Sequence, residues 1–318
     1  MKQLLKSLRN APLLNSLVRQ MLRGMHRRWT SFYHWITLHW PVSGNVKIEV
    51  PGGSYQVLSK GDDYIAKAAF FNIDYEVGTD RFVAMAVKRC SCLLDVGGNT
   101  GHFSLAACAM QPKLVAYAFE PVPSIFNRLK QNAALNPFQI HPQQLALSDA
   151  EGTLSLFVPK SEISYSASSN ADFHQTDVAE VSIRATTMDQ FVKENQLRPD
   201  FIKIDVEWHE LSVLKGAVGT LATCSPVLVI EVLFAEIEAY KNPALKGKLR
   251  TDHAQQIEAF MREQGYTFYK PLPDGLMRID SLELNYDERN YVFSKHKSSR
   301  QFISYHESDV LYSQVMGL

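Results

Sequence analysis

The hydrophobic pattern along this chain changes character near Arg81. Beyond that point short apolar runs of strand length alternate with stretches whose apolar residues recur every three or four positions. Cys92–Val96 reads as a strand, His102–Met110 as a helix and Leu114–Phe119 as a second strand. A helix over Ser124–Leu135 is stopped by Asn136-Pro137, and Gln144–Leu147 reads as a third strand. Thr153–Val158 and Val181–Ala185 look like extra strands around a loop. Phe201–Val206 reads as a fourth core strand, Leu211–Leu221 as a helix and Val227–Val232 as a fifth strand. Repeated units of this kind predict an α/β fold with a mostly parallel central sheet and helices on both faces.

Upstream, Val46 to Leu58 alternates loosely around Pro51-Gly52-Gly53, which predicts a hairpin. Residues 12–28 carry Leu14, Leu17, Val18, Met21, Leu22 and Met25 at helical spacing after Pro12, with Arg19, Arg23 and Arg27 as a stripe. An aromatic stretch from Trp29 to Trp40 follows. That helix has two readings: a peripheral element lying on an anionic membrane, or one docked on the domain or a partner chain with its arginines in water. The chain thus divides into a basic helical segment (1–45), a lead-in (46–89), an α/β domain (90–300) and a C-terminal tail (301–318). Oligomeric state is not legible.

Composition changes this picture little. The chain of 318 residues is 46% hydrophobic and 21% charged with no net charge, as expected of a soluble globular enzyme. The basic charge of residues 1–48, which hold no acid, leaves the remainder mildly acidic, so no nucleic-acid partner is expected. Cys90, Cys92, Cys108 and Cys224 form neither a zinc-type pair nor a disulfide framework, and a reduced, cytoplasmic state is the simpler reading. The sequence lacks a long apolar run or a cleavable leader, so neither a spanning helix nor secretion is expected.

The candidate chemistry starts at Asp95-Val96-Gly97-Gly98-Asn99-Thr100-Gly101, which follows a strand and opens a helix. Gly97, Gly98 and Gly101 allow a sharp turn against a ligand, though many strand–helix turns keep glycines for packing. Asp95 discriminates. A carboxylate at the strand end repels a pyrophosphate but favours S-adenosyl-L-methionine, which carries an ammonium and a sulfonium. Asn99 also stands where the dinucleotide fingerprint has its second glycine, and the Gly-Lys-Ser/Thr of a phosphate loop is missing. Glu120, before Pro121 at the next strand tip, is placed to accept hydrogen bonds from two ribose hydroxyls. Leu147 and Ser148 are candidates for an apolar wall and a polar contact at adenine.

Four stretches resemble the FkbM-type methyltransferases: Asp95 to Gly101; Phe119-Glu120-Pro121; Phe201-Ile202-Lys203-Ile204-Asp205-Val206-Glu207; and Leu228-Val229-Ile230-Glu231. The resemblance runs over roughly residues 75 to 295 and closes in Asn290-Tyr291-Val292-Phe293. It implies a Rossmann-like class I methyltransferase sheet and, most often, O-methylation of a hydroxyl on a sugar, polyketide or other small molecule. The sequence departs at Trp208, where the family usually has glycine, so a bulky indole stands beside the expected acceptor pocket.

Methyl transfer to an alcohol needs an aligned oxygen and a place for its proton. Lys203, Asp205 and Glu207 would share one side of a strand, and His209 and Glu210 lie where the chain turns into the next helix. Asp205, Glu207 or His209 could act as base, His209 having the most suitable unperturbed pKa. Alternatively, Asp205 or Glu207 with Glu231 could hold a divalent cation, although metal-free chemistry is favoured. The acceptor is expected to be a small molecule, glycan or lipid. An N-methyltransferase, a non-catalytic adenosylmethionine-binding module and an NAD-dependent oxidoreductase compete. Asp-Val-Glu-Trp in place of Asn/Asp-Pro-Pro-Tyr argues against the first, the intact acid–glycine–acid set against the second and Asp95 against the third. Tyr75-Glu76 and the serine-rich Ser161–Asn170 loop are candidate coverings of the site.

Overall fold

The computed structural model describes residues 42–61, 64–71, 77–159, 178–236, 251–283, 289–296 and 298–317. The expected helix over 12–28, Tyr75-Glu76 and the Ser161–Asn170 loop lie outside the described residues. Among the described residues, no helix is long and apolar enough to cross a membrane.

The alternation around Pro51-Gly52-Gly53 forms the expected hairpin, β1 (Ser43–Val50) against β2 (Gly53–Lys60). Helices α1 (Tyr64–Phe71) and α2 (Val77–Ala86) lead into β3 (Cys92–Val96), α3 (His102–Met110), β4 (Val115–Phe119), α4 (Pro123–Ala134) and β5 (Gln139–Gln143). Strands β6 (Ala146–Leu147), β7 (Gly152–Pro159) and β8 (Val178–Thr186) make a separate small sheet. Then come α5 (Met188–Glu194), β9 (Phe201–Ile204), α6 (Glu210–Lys215), α7 (Val218–Cys224) and β10 (Val227–Glu231). The last elements are α8 (His253–Glu263), β11 (Thr267–Leu272), β12 (Gly275–Ile279), β13 (Asn290–Ser294), β14 (Phe302–Ser304), α9 (Ser308–Leu311) and a π-helical turn over Tyr312–Met316.

Among the described residues the main sheet has nine strands in the order β14-β12-β11-β13-β10-β9-β3-β4-β5. The run β5-β4-β3-β9-β10 is parallel, which lines up the C-terminal ends of those strands along one edge. From β13 outward the pairing is antiparallel. Chain order runs one way from β3 to β5 and the other way from β9 to β10. The crevice between β3 and β9 is therefore the topological switch point, where open α/β sheets bind ligands.

Both faces of the sheet are packed. On one, Ile202, Ile204, Leu228 and Ile230 meet Val213, Leu214, Leu221, Ile257 and Met261; on the other, Leu93, Ala116, Phe201 and Val229 meet Phe82, Val83 and Ala107. Leu311, Tyr312, Val315 and Met316 join the second cluster, so the chain beyond β14 packs into the same core. The hairpin lies on α3, and a β-carbon on Gly53 would fall 2.2 Å from the Ala109 carbonyl oxygen. Asn132 on α4 accepts from the Leu58 backbone N–H (2.8 Å) and donates to the Thr100 carbonyl (2.7 Å), bridging hairpin and glycine turn.

Three expectations need correction. The third parallel strand is Gln139–Gln143, not Gln144–Leu147; Ala146–Leu147 belongs to the small sheet. As an edge strand β5 needs no apolar run and tolerates Pro142, so its sequence hides it. The helix expected over Leu211–Leu221 is two helices. A β-carbon on Gly216 would meet the Ser148 carbonyl oxygen at 1.9 Å, and the Asp189 carboxylate starts α7 afresh by accepting from Gly219 and Thr220. The fourth strand stops at Ile204, so strand alternation does not reach Glu207, whose φ is +47°.

Candidate active site

The turn between β3 and α3 is pinned to its neighbours. Gly97 and Gly98 donate their backbone N–H groups to the Phe119 carbonyl at 3.0 and 2.8 Å, bending the chain over the tip of β4. Gly97 has φ +82°, and a β-carbon there would lie 1.8 Å from the Asp205 carbonyl oxygen. Gly101, at φ +92°, would press Leu129 at 2.6 Å. Both glycines are thus required by the protein's own packing. Gly98 differs: its β-carbon would meet the Ala118 side chain at 3.2 Å and two Asp95 oxygens, Oδ2 at 3.5 Å and the backbone carbonyl at 3.6 Å, with no overlap under 3.0 Å.

Asp95 is 1% exposed, and its Oδ2 accepts from the Ser104 backbone N–H (3.1 Å) and hydroxyl (2.6 Å). The carboxylate therefore ties β3 to the first turn of α3. Burial pushes its pKa up to about 6, against the Ser104 hydrogen bonds and the Lys203 ammonium. Glu120, 5% exposed, accepts from the Asn99 N–H at 3.1 Å and the Val122 N–H at 2.9 Å. Burial, with smaller contributions from Asp95 and Asp205, raises it to about 7. Asn99 supports this turn at φ +48°, its side-chain oxygen accepting from the Thr100 N–H. Pro121 is part-exposed beside Glu120.

Strand register gathers the next group. Asp95 pairs with Lys203 across β3 and β9, and Ile204 pairs with Ile230 across β9 and β10, so Asp205 and Glu231 stand side by side at the strand tips. The Lys203 ammonium lies 3.4 Å from Asp205, whose side chain is 40% exposed; Arg289 reaches to 4.0 Å from Glu231, which is 18% exposed. Asp205 and Glu231 share a hydrogen bond. Burial acts to raise Asp205, but Lys203 and that hydrogen bond outweigh it and hold the group below the usual carboxylate range. Burial, then the charge of Asp205, pushes Glu231 well above it. Two carboxyls so close share one proton.

Beyond Asp205 the backbone takes two consecutive left-handed residues, Glu207 (φ +47°) and Trp208 (φ +77°). The Glu210 carboxylate holds this turn, accepting from the Trp208 N–H at 3.2 Å with one oxygen and meeting His253 Nε2 at 2.7 Å with the other. The Trp208 ring packs 5.0 Å from the His253 ring, and its buried indole N–H has no hydrogen-bond partner among the described residues. His209 Nε2 lies 3.0 Å from the Ser148 hydroxyl, and burial lowers its pKa. Ser148 itself is 1% exposed and also donates to Asp149. Leu147 packs in the core with Val96 and Phe119.

The structure thus brings together Gly97 with Asp205, Asn99 with Glu120, Lys203 with Asp205 and Glu231, and Ser148 with His209. It does not bring Asp95 or Leu147 to an open surface. Ser104, Arg289 and His253 were missed by sequence reasoning. Ser104 could have been found as the hydroxyl in the first turn after the glycines; nothing local marks Arg289 or His253. Among the described residues, no group of three or more His, Cys, Asp or Glu side chains is arranged to hold a metal ion.

A Rossmann-like sheet with an acid–glycine turn at its switch point and carboxylates on the adjoining strand tips defines the class of this protein. The chain belongs to the FkbM methyltransferase family, whose domain model matches residues 95–268. It is 33% identical over 138 residues to the hexuronic acid methyltransferase AglP of Haloferax volcanii, an alignment covering 43% of this chain and 54% of that protein. Methyltransferase 1 of Beauveria bassiana is 28% identical over 144 residues, covering 40% and 58%. The chain therefore spans little more than half the length of these relatives. A solved FkbM methyltransferase from Methylobacillus flagellatus aligns over 73% of this chain and 55% of its own at 15% identity, with a TM-score of 0.37.

Proposed function

We propose that this protein is an S-adenosylmethionine-dependent methyltransferase that methylates a hydroxyl of a sugar-like acceptor. The observation that carries the reading is the concentration of carboxyls around the β3–α3 turn. Asp205 adds to the upward push on Asp95, and Asp95 and Asp205 add to that on Glu120. A cofactor bearing an ammonium and a sulfonium relieves that charge, whereas a pyrophosphate would add to it. The residues present fit adenosylmethionine on these grounds. Glu120 would hold the ribose, and the turn from Gly97 to Gly101 would carry the amino acid end. Pro121, Leu147 and Ser148 would border adenine. When bound, this cofactor supplies an electrophilic methyl group on sulfur.

The protein's own task is then to orient the acceptor oxygen and take its proton. Asp205 and Glu207 lie on the loop pressed against Gly97, with Lys203 fixing Asp205 and His209 fixing Ser148. The sugar-like acceptor rests on the similarity to a hexuronic acid methyltransferase. Calorimetry with adenosylmethionine and with NAD tests the cofactor. Isotope-labelled adenosylmethionine offered with uronic acid glycans, lipids and small-molecule alcohols tests the acceptor. Binding of adenosylmethionine alone and label on a glycan hydroxyl are expected; binding of NAD instead, or label only on nitrogen, would overturn the reading.

A further inference from the structure

The β1–β2 hairpin precedes the residues that the family's domain model matches, yet it is fastened to the glycine turn. Arg128, Asn132 and Asn136 follow one another at four-residue spacing, so they form a stripe along α4 and its C-terminal end. Strand β2 pairs with β1 along one edge, and this stripe takes up backbone groups of the other. Asn136 accepts from the Gln56 N–H and donates to the Gln56 carbonyl, both at 2.8 Å. Arg128 donates to the Leu58 carbonyl at 3.0 Å, and Asn132 accepts from the Leu58 N–H at 2.8 Å.

Asn132 reaches further. Its Nδ2 donates to the Thr100 carbonyl at 2.7 Å, inside the turn. The residue is fully buried, where a side-chain amide is costly unless both of its ends are bonded, and here both are. A second contact lies one residue beyond the turn, where the Tyr55 hydroxyl of β2 stands 3.2 Å from Nδ1 of His102, the first residue of α3. The N–H groups of Gly97 and Gly98 are held by the Phe119 carbonyl and that of Asn99 by Glu120, all at the tip of β4. One side of the turn is thus fixed to the sheet, and Asn132 fixes the other to the hairpin.

We infer that Asn132 is a positioning residue for the cofactor: by holding the Thr100 carbonyl it sets the shape in which the turn receives adenosylmethionine, and by holding Leu58 it makes the hairpin part of that site. This rests on the reading of the turn from Gly97 to Gly101 as the adenosylmethionine site. The coupling is reciprocal, so a ligand that favours the fixed turn also favours the seated hairpin.

Asn132→Asp tests the link, because a carboxylate still accepts from the Leu58 N–H but gives no hydrogen bond to Thr100. Calorimetry on the folded whole protein, with folding checked by circular dichroism, should show adenosylmethionine affinity reduced by about fivefold or more, the scale of one hydrogen bond. An amide that serves stability alone would lower the urea midpoint and leave that affinity as in the parent. Asn136→Ala, which leaves Asn132 in place and frees Gln56, should weaken binding by a smaller factor and carries the test if Asn132→Asp does not fold. Residue-resolved hydrogen exchange supplies the reciprocal readout: saturating adenosylmethionine should slow exchange at Gln56 and Leu58 in the parent. Parent-like affinity in the folded variants, or hairpin exchange indifferent to adenosylmethionine, would overturn the inference. If the parent does not bind adenosylmethionine, the functional reading fails by itself. The link is then decided without ligand, by whether either variant exchanges faster than the parent at Gly101 and Leu105, whose N–H groups bond to the Gly98 and Gly101 carbonyls. Unchanged exchange there would overturn it.

Discussion

The β-carbon that Gly97 lacks would stand 1.8 Å from the backbone carbonyl oxygen of Asp205, so the turn after β3 and the loop after β9 are in direct contact. The proposed cofactor side and acceptor side are therefore one packed unit. Gly97→Ala would also place a non-glycine residue at φ +82°. The strain and the overlap together should cost about 2–5 kcal/mol and displace Asp205. Gly98→Ala is the contrast, since its nearest protein atom would be the Ala118 side chain at 3.2 Å. We expect Gly98→Ala to keep most of the stability while losing adenosylmethionine affinity, and Gly97→Ala to lose both. Urea unfolding and calorimetry on the two variants check this; equal stability loss would refute the distinction.

With Glu120 holding the ribose as proposed, cofactor binding should depend on pH. Burial raises its pKa to about 7 in the free protein, whereas ribose hydroxyls donate to the ionised form and favour it. Binding should therefore release a proton, and affinity should rise as pH goes from 6 to 8. Calorimetry in buffers of different ionisation enthalpy measures that release directly. Glu120→Gln, which cannot ionise, should bind weakly with an affinity independent of pH over this range; a retained pH dependence would assign the proton to another group.

The same two carboxyls set a stability trend. Asp95 and Glu120 have folded pKa values of about 6 and about 7, above the ordinary unfolded values near 4. The folded state holds their protons more tightly, so their contribution is full below about pH 4 and is lost as pH rises through 6 and 7. Each is worth up to about 3 kcal/mol by that linkage. The unfolding free energy of the parent minus that of Glu120→Gln should fall between pH 5 and pH 7.5. A difference that is flat or rises over this window would show that Glu120 is not held protonated.

The parallel half of the fold was legible because its central strands, Cys92–Val96, Phe201–Ile204 and Val227–Glu231, are buried on both faces and read as apolar runs. Strand β5 escaped because an edge strand carries no such signature. At the site, the residue types were legible and their partners were not. Asp95 stands out in sequence as an acid before glycines. Its bonds to Ser104, nine positions on, follow from how α3 is seated by Gly101 and the hairpin. The pairing of Asp205 with Glu231 depends on the β9–β10 register, and Arg289 joins them only because β13 runs antiparallel to β10. Long-range register of this kind has no local trace.

Asp95 should act on the cofactor through α3. Asp95→Ala removes the acceptor for both the Ser104 N–H and its hydroxyl in a buried position, which should cost about 1–3 kcal/mol and loosen the turn. Adenosylmethionine binding is expected to be lost. Ser104→Ala keeps the carboxylate but removes its 2.6 Å hydroxyl partner, and should weaken binding in the same direction with a smaller effect. Calorimetry on both variants separates the routes. Unchanged affinity in Asp95→Ala would remove this residue from the cofactor assignment altogether.

Trp208 occupies a backbone position that suits glycine. Its φ of +77° costs a bulky residue about 1–2 kcal/mol, and its buried indole N–H lacks a hydrogen-bond partner among the described residues. Packing of the ring on His253 offsets that cost. Trp208→Ala removes the packing and keeps the backbone strain, whereas Trp208→Gly removes both. The usual order, in which alanine is more stabilising than glycine, should therefore be reversed here, with Trp208→Gly more stable than Trp208→Ala by about 1 kcal/mol. Unfolding in urea measures the difference, and the familiar order would show that the loop relaxes out of the left-handed region once the indole is gone. Adenosylmethionine affinity should be the same in both variants, because Glu120 and the Gly97 turn are untouched. The KM for acceptor should change in both, because the proposed function puts the acceptor beside the loop from Asp205 to His209 and the indole is that loop's largest side chain.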